Sequence, residues 1–297
     1  MAGKKIVIIG AGKVGQSFGY LLAQQGYQIL GFISKTLSSA QAGVELIGEG
    51  IATTEYEEII LEADLIIIST PDQIISEVSK QLAELNLVTE GSCLIHLSGA
   101  LTSEVLTGEG EGQEYGKLSL HPLQSVADVE NGITNLPEAF FTIEGDQLGV
   151  KVGEAILTDL EVEYEVISQQ AKPLYHAAAC VASNYLVAIV NLALEMNQQV
   201  GIAQQQALRA LLPLIKGSIN NIESLGPISA LTGPISRGDN SVIEEHLDAF
   251  ENFLPERSEL YCKLGNYTTK IAEQKGSITE ADKVELIKIL EEENSNG

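Results

Sequence analysis

The first half of the chain alternates short apolar runs with amphipathic stretches. Seven runs have strand character: KIVII (5–9), YQILGFI (27–33), DLIIIS (64–69), SCLIHL (92–97), KLSL (117–120), AFFTI (139–143) and VEYEVI (162–167). Continuous apolar runs such as LIII are typical of strands covered on both faces, and helical segments between them imply right-handed crossovers. The pattern predicts a doubly wound α/β domain with a parallel sheet over residues 1–167.

The second half shows helical patterns and no further strand signal. A long apolar helix is predicted over residues 172–200, where Gly201 ends it. Amphipathic segments follow, separated first by a Gly- and Pro-rich turn: 204–225, 240–253, 256–272 and 279–292. The sequence therefore predicts an all-α domain over residues 168–297.

Composition narrows the range of partners. The 297 residues include 41 Asp and Glu against 17 Lys and Arg, a formal net charge of −24. Because duplex binding needs clustered basic side chains, no nucleic-acid partner is expected, and the acidity also argues against anionic membranes. Cys93, Cys180 and Cys262 form no CxxC pair. We therefore expect neither a disulfide framework nor a metal site, and a cytoplasmic location.

The segment 177–194 is apolar enough to resemble a membrane span. Ser183, Asn184 and Asn191 interrupt it, and it lacks flanking positive charge, so a covered helix in a protein is favoured over a span.

The helix over residues 172–200 is apolar almost all round and must be covered on every side. The remaining amphipathic segments could cover only part of this helix. The sequence therefore predicts a two-fold homodimer through residues 172–297.

A glycine-rich loop follows the first predicted strand and opens the first helix. It reads Gly10-Ala11-Gly12-Lys13-Val14-Gly15, which matches GxGxxG. In such a loop the first glycine allows a tight turn, the second lets a pyrophosphate approach the backbone, and the third lets helix pack on strand. The N–H groups of the helix then face the anion. The motif predicts a dinucleotide site.

The end of the second predicted strand selects between the two nicotinamide dinucleotides. An NAD site places Asp or Glu there for the ribose hydroxyls, whereas this chain reads Ser34-Lys35-Thr36. Lys35 can pair with a 2′-phosphate, and the two hydroxyls can donate to it. NADP is therefore predicted over NAD.

Five segments carry a family resemblance: DLIIISTPDQII (64–75), LIHLSGALTSEVL (94–106), SLHPLQS (119–125), YHAAACVASNYL (175–186) and LTGPISRGD (231–239). They resemble the signatures of a bacterial family that joins a Rossmann-like NADP-binding domain to a C-terminal helical domain of unknown function. That family is similar to 6-phosphogluconate, 3-hydroxyisobutyrate and prephenate dehydrogenases, ketopantoate reductase and pyrroline-5-carboxylate reductase. The resemblance implies a Rossmann sheet followed by an all-α domain of the 6-phosphogluconate dehydrogenase C-terminal type.

In that superfamily the nicotinamide lies at the carboxyl ends of the strands. The resemblance therefore implies that two loops line the cofactor, Ser69-Thr70-Pro71 and Ser98-Gly99. His121, which Pro122 follows, stands after the strand KLSL, and prephenate dehydrogenases carry a similar His-Pro. This implies that His121 contacts substrate or cofactor.

Lys172, His176 and Cys180 share one face of the long helix. Hydroxyacid-type relatives use a Lys there with an Asn four residues later, and the Lys moves the proton. Here His176 replaces that Asn, so either Lys172 or His176 could be the proton donor. Asn184, two turns further on, could orient the substrate.

The polar loop 231–239 supplies two further candidates. Arg237 is suited to clamp a substrate carboxylate, with Thr232 beside it, although Asp239 could pair with the guanidinium instead.

Motifs and resemblance together predict an NADP-dependent oxidoreductase. It would transfer a hydride between NADPH and a carbonyl or imine of a small, carboxylated substrate. An alternative stays open, a catalytically silent NADPH-binding sensor or regulator of the same fold, because His176 departs from the Lys/Asn pair of the relatives.

Overall fold

The computed structural model describes residues 3–56, 58–106 and 115–292. Contacts divide the chain into two compact units, residues 1–185 and 186–297. This division falls later than the predicted boundary after residue 167, because Lys172 and Tyr175 contact the strands of the first unit through hydrogen bonds.

An eight-stranded sheet forms the centre of the first unit, in the order β3-β2-β1-β4-β5-β6-β7-β8. The strands are β1 (Lys5–Ile9), β2 (Gln28–Ile33), β3 (Ile51–Thr53), β4 (Leu65–Ile68), β5 (Cys93–His96), β6 (Gly116–Pro122), β7 (Phe141–Gly145) and β8 (Tyr164–Val166). The first six run parallel, and the strand order reverses between β1 and β4. The predicted doubly wound Rossmann architecture is confirmed.

Helices cover both faces of this sheet. They are α1 (Lys13–Gln24), α2 (Leu37–Ile47), α3 (Asp72–Glu84), α4 (Val129–Asn135), α5 (Gln147–Asp159) and α6 (Lys172–Cys180). Ile6 and Ile8 of β1 pack with α1, α2 and α5, whereas Val7 and Ile9 pack with α3 on the opposite face. The period of two along a fully apolar strand accounts for both cores.

The last two strands depart from the predicted parallel direction. β7 runs antiparallel to β6, with Pro122 opposite Phe141, and β8 follows β7. The intervening helix α4 has only seven residues, so it does not carry the chain back across the sheet, and β7 starts beside the end of β6.

The second unit is all helical, as predicted. It contains α7 (Leu186–Gln199), α8 (Gln204–Ala230), α9 (Asn240–Phe253), α10 (Ser258–Lys275) and α11 (Glu280–Glu292). Its buried core draws on α9, α10 and α11: Ile243, Leu247, Cys262, Ala272, Leu286 and Leu290. Helix α8 runs past its predicted end, with a kink at Gly226, whose φ of 76° places it in the left-handed region.

A single π-helical turn, Val181–Tyr185, joins α6 to α7. The continuous helix Gln169–Gln199 is long and apolar enough to cross a membrane by length and composition alone, which for one helix is weak evidence. Many of its large apolar side chains are exposed in the single chain: Leu174, Val181, Tyr185, Leu186, Val187, Ile189 and Met196.

Candidate functional site

Gly10 and Gly15 pack the glycine loop tightly against the loop after β4. Gly10 has a φ of 102°, and a Cβ there would lie 2.6 Å from the carbonyl carbon of Ser69. A Cβ at Gly15 would collide with the carbonyl oxygen of Gly10 and lie 2.9 Å from Ser69 Oγ. Both positions therefore require glycine, for the turn and for the contact of helix with strand.

Gly12 differs from these two glycines because the space beside it is open. A Cβ at Gly12 would meet no described atom within 4 Å. Gly12 is also the N-cap of α1 and has no side chain to cap the helix, so the first N–H groups of α1 can face an anion. Nearby, Thr70 Oγ1 is buried and has no hydrogen-bond partner among the described residues. The loop thus fits a bound pyrophosphate.

The segment Ser34-Lys35-Thr36 starts beside the glycine loop. Gly10 N donates to the carbonyl oxygen of Ile33 at 2.7 Å, so both segments begin at the carboxyl edge of the sheet. Lys35 and Thr36 are exposed, and Thr36 is the N-cap of α2. A lysine and hydroxyls at a helix N-terminus suit a phosphate group.

The loop after β5 is held by His96, which is fully buried. Ser98 N donates to His96 Nδ1 at 3.2 Å, and His96 Nε2 lies 3.2 Å from the carbonyl oxygen of Thr102. Burial lowers the pKa of His96 to about 4, so the ring is neutral and its proton lies on Nε2. His96 thereby fixes the backbone of Ser98 and Gly99 at the same edge of the sheet.

His121 lies at the carboxyl end of β6, against this loop. A Cβ at Gly99 would lie 2.6 Å from His121 Nε2, and His121 Nδ1 lies 2.9 Å from the hydroxyl oxygen of Tyr175. The rings of His121 and His176 are 6.4 Å apart between centroids. Burial, and secondarily the charges of Lys172 and His176, lower the pKa of His121 to about 4. The ring is therefore neutral at physiological pH.

Lys172 is fully buried, with 0% of its surface exposed. Its Nζ donates a hydrogen bond to Ser119 Oγ on β6, and Ser119 Oγ in turn donates to the carbonyl oxygen of Ser98 at 3.3 Å. Burial lowers the pKa of Lys172 to about 8, although the carboxylates of Glu144 and Asp72 oppose this shift. The amine thus faces the sheet and is linked through Ser119 to the loop after β5.

The structure brings together in the first unit the glycine loop, Ser34-Lys35-Thr36, the loops after β4 and β5, His121, Lys172 and His176. Tyr175 is the site residue that the sequence analysis missed, although it stands beside His176 in the segment YHAAAC.

The other predicted site residues are not part of this group. Asn184 is exposed in the π-helical turn. Thr232 and Arg237 belong to the second unit; Arg237 is 64% exposed, and its guanidinium lies 4.0 Å from Asp239. Their roles stay predictions.

Two family models match the sequence. A Rossmann-like domain covers residues 1–122, and a domain of unknown function, DUF2520, covers residues 139–268. The sequence is therefore similar to a Rossmann-like domain followed by a DUF2520 domain. The Rossmann-like match contains the glycine loop and His121, whereas the DUF2520 match contains Lys172, Tyr175 and His176. Residues from both matched segments therefore contribute to the candidate site.

Solved structures extend this similarity. The protein TM1727 from Thermotoga maritima is 26% identical with a TM-score of 0.73, covering 91% of this chain and 99% of its own. A candidate NADP oxidoreductase from Bacteroides fragilis is 25% identical with a TM-score of 0.69, covering 91% and 98%. A reductive aminase from Aspergillus terreus, solved with NADPH and ethyl-5-oxohexanoate, shares the fold at 17% identity and a TM-score of 0.59, covering 100% and 95%. No curated protein matches the sequence.

Proposed function

We propose that the protein is an NADPH-dependent oxidoreductase that reduces a carbonyl or imine of a small, carboxylated substrate. The observation that carries the proposal is the edge of the Rossmann sheet. There, among the residues that the structure describes, Gly12 has open space beside it and the buried Thr70 hydroxyl has no hydrogen-bond partner, in the same unit as His121. The similarity to a candidate NADP oxidoreductase at 25% identity supports it.

Different residues at this edge would bind different groups of the dinucleotide. The N–H groups at the start of α1 and the Thr70 hydroxyl would hold the pyrophosphate. Ser34-Lys35-Thr36 would hold the 2′-phosphate, and Ser98-Gly99 would border the nicotinamide. When bound, NADPH supplies a hydride to the substrate carbon.

His121 is proposed as the group that donates a proton to the substrate oxygen or nitrogen. Its Nε2 lies against Gly99, whereas the amine of Lys172 is fully buried and bonded to Ser119. His176 is the second candidate donor. Asn184, Thr232 and Arg237 are proposed to bind the substrate, with the Arg237 guanidinium on its carboxylate.

A second candidate function is an NADPH sensor without catalysis. The burial of Lys172 favours the sensor, because the lysine that moves the proton in hydroxyacid-type relatives is here enclosed by protein. A sensor needs the cofactor edge but no donor that reaches a substrate.

Calorimetric titration with NADPH and NADH, followed by absorbance at the nicotinamide band with a panel of keto acids and cyclic imines, separates these functions. Turnover supports the oxidoreductase. Tight binding without turnover on any panel member supports the sensor, and absence of binding to either dinucleotide contradicts both.

Replacing Lys35 with aspartate should weaken NADPH far more than NADH. A charge-assisted contact to the 2′-phosphate at this exposed position contributes about 1.5 to 3 kcal/mol, which is roughly tenfold or more in affinity. Calorimetry on both dinucleotides measures the difference. Lys80→Asp, the same charge change on the exposed side of α3, is the matched control and should leave the NADPH preference intact. Equal affinity of the wild type for NADPH and NADH would refute the assignment of Lys35.

We also propose that a second copy of the chain covers the exposed apolar surface of α7 and α8. Large apolar side chains on these helices are exposed in the single chain: Leu186, Val187, Ile189, Leu212, Leu214, Ile219, Ile222 and Leu225. The net charge of −24 and the polar residues Ser183, Asn184 and Asn191 favour a protein partner over a membrane. Because Cys93, Cys180 and Cys262 form no CxxC pair, we propose a cytoplasmic location.

Light scattering should give about twice the monomer mass of 31.8 kDa at micromolar concentration, since an interface of more than about 2,000 Å² is typical of obligate dimers. Val187→Asp should yield monomers, because the 69% exposed Val187 side chain lies on the proposed surface. Val284→Asp, at an exposed valine of α11, should stay dimeric. A wild-type monomer, or association only with lipid vesicles, would contradict the proposed dimer.

A further inference from the structure

We infer that Tyr175 is a positioning residue that holds His121 with its ring proton on Nε2, the nitrogen that faces the substrate. The inference rests on the proposed reduction and adds a residue to its machinery. Tyr175 lies one turn after Lys172 on α6, and its hydroxyl oxygen is 2.9 Å from His121 Nδ1. The two rings meet edge to face, with centroids 5.7 Å apart and an interplanar angle of 84°.

The direction of this hydrogen bond decides the tautomer. Burial keeps His121 neutral and raises the pKa of the Tyr175 phenol, so the phenol retains its proton at neutral pH. A neutral imidazole has one N–H and one bare nitrogen. When the phenol donates to Nδ1, the imidazole proton must lie on Nε2. Two contacts thus fix His121: the hydroxyl of Tyr175 on one nitrogen and the backbone of Gly99 beside the other.

The same hydrogen bond lets His121 give up a proton without becoming negatively charged. As the substrate carbon accepts the hydride, its oxygen or nitrogen takes the Nε2 proton of His121, and the electron pair of that N–H bond stays on the ring. Nδ1 takes the phenolic proton of Tyr175 in the same step, so no imidazolate forms. One proton taken up from the solvent then restores the pair: His121 is protonated again on Nε2, and its Nδ1 proton returns to the Tyr175 oxygen. The substrate gains one hydride and one proton, and the protein is regenerated.

The first test reads the tautomer in the free protein by nitrogen-15 NMR of labelled histidine. The chain has four histidines, so single variants assign every ring. His96 is an internal reference, because the N–H of Ser98 donates to its Nδ1 and fixes the proton on Nε2. Wild-type His121 should show the same pattern as His96, and Tyr175→Phe should shift only His121 towards the Nδ1–H form or a mixture.

The chain offers a matched control in the second unit. Tyr261 is bonded to His246 through the same atoms, with 2.7 Å between Nδ1 and the hydroxyl oxygen. Tyr261→Phe should therefore change the His246 signals and leave His121 and turnover as in the wild type.

The second test is kinetic and uses a keto acid or cyclic imine that the wild type reduces. Tyr175→Phe should lower kcat by roughly 10- to 100-fold, by analogy with the loss of the hydrogen-bond partner that orients a metal-bound histidine, with KM and the Kd for NADPH unchanged. A proton on Nδ1 of wild-type His121, or a tautomer that Tyr175→Phe leaves unaltered, would overturn the inference. The NMR result needs no substrate, so it decides the role of Tyr175 even where failure to bind NADPH has refuted the proposed function.

Discussion

Replacing His121 with alanine should lower turnover by about 100- to 10,000-fold, the range for loss of a positioned acid or base. The Kd for NADPH should change little, because the pyrophosphate and the 2′-phosphate are proposed to bind at the glycine loop and at Ser34-Lys35-Thr36, which do not include His121. The effect should fall on kcat, since a proton moves only in the transition state. The measurement is NADPH oxidation at saturating cofactor, on a substrate found with the panel above.

Three further variants make this comparison specific. His246→Ala removes a histidine with an equivalent tyrosine partner in the second unit and should leave turnover unchanged. His176→Ala and Lys172→Met test the two residues of α6 that the family resemblance implies. If His121→Ala keeps near wild-type rates while one of these two abolishes turnover, the proton donor lies on α6 and the assignment of His121 is wrong.

Most of the fold could be predicted because its signals are local. An apolar run in every central strand and a glycine motif between strand and helix identify the Rossmann sheet. Strand β3, Ile51–Thr53, was missed since three residues make no pattern. The reversal at β7 was missed because strand direction depends on where α4 leads the chain, and a run such as AFFTI contains no information on direction.

The candidate site could be predicted in part. The spacing of Lys172 and His176 places them on one helix face, but spacing does not tell which side chain turns into the sheet and which stays at the edge. The hydrogen bond of Lys172 to Ser119 and that of Tyr175 to His121 join residues more than fifty positions apart. Such pairs depend on the packing of α6 against β6, which no local pattern encodes.

Lys172→Met should make the first unit more stable at neutral pH. Burial holds the pKa of Lys172 at about 8, against an ordinary value of 10.5. A shift of this size corresponds to about 3 kcal/mol, at roughly 1.4 kcal/mol per pKa unit, that the folded state loses whenever the amine is charged. Replacing a buried charge with an apolar side chain is often stabilising by about 1 to 4 kcal/mol. Ser119 keeps its bond to the carbonyl oxygen of Ser98, so the variant leaves that hydroxyl satisfied.

The dependence on pH identifies the cause. Below pH 8 the amine is protonated in both states, and the cost is fully present. Between pH 8 and about 10.5 the unfolded chain binds the proton and the folded chain does not, so the free energy of unfolding of the wild type rises with pH relative to the variant. Urea unfolding from pH 7 to pH 10 should therefore show a stability difference that shrinks as pH rises.

Lys270→Met, at an exposed lysine, should give a constant difference. A constant difference for Lys172→Met would mean that its burial does not set its pKa. A shrinking one, together with lost turnover, would mean that the chain keeps a destabilising lysine for function.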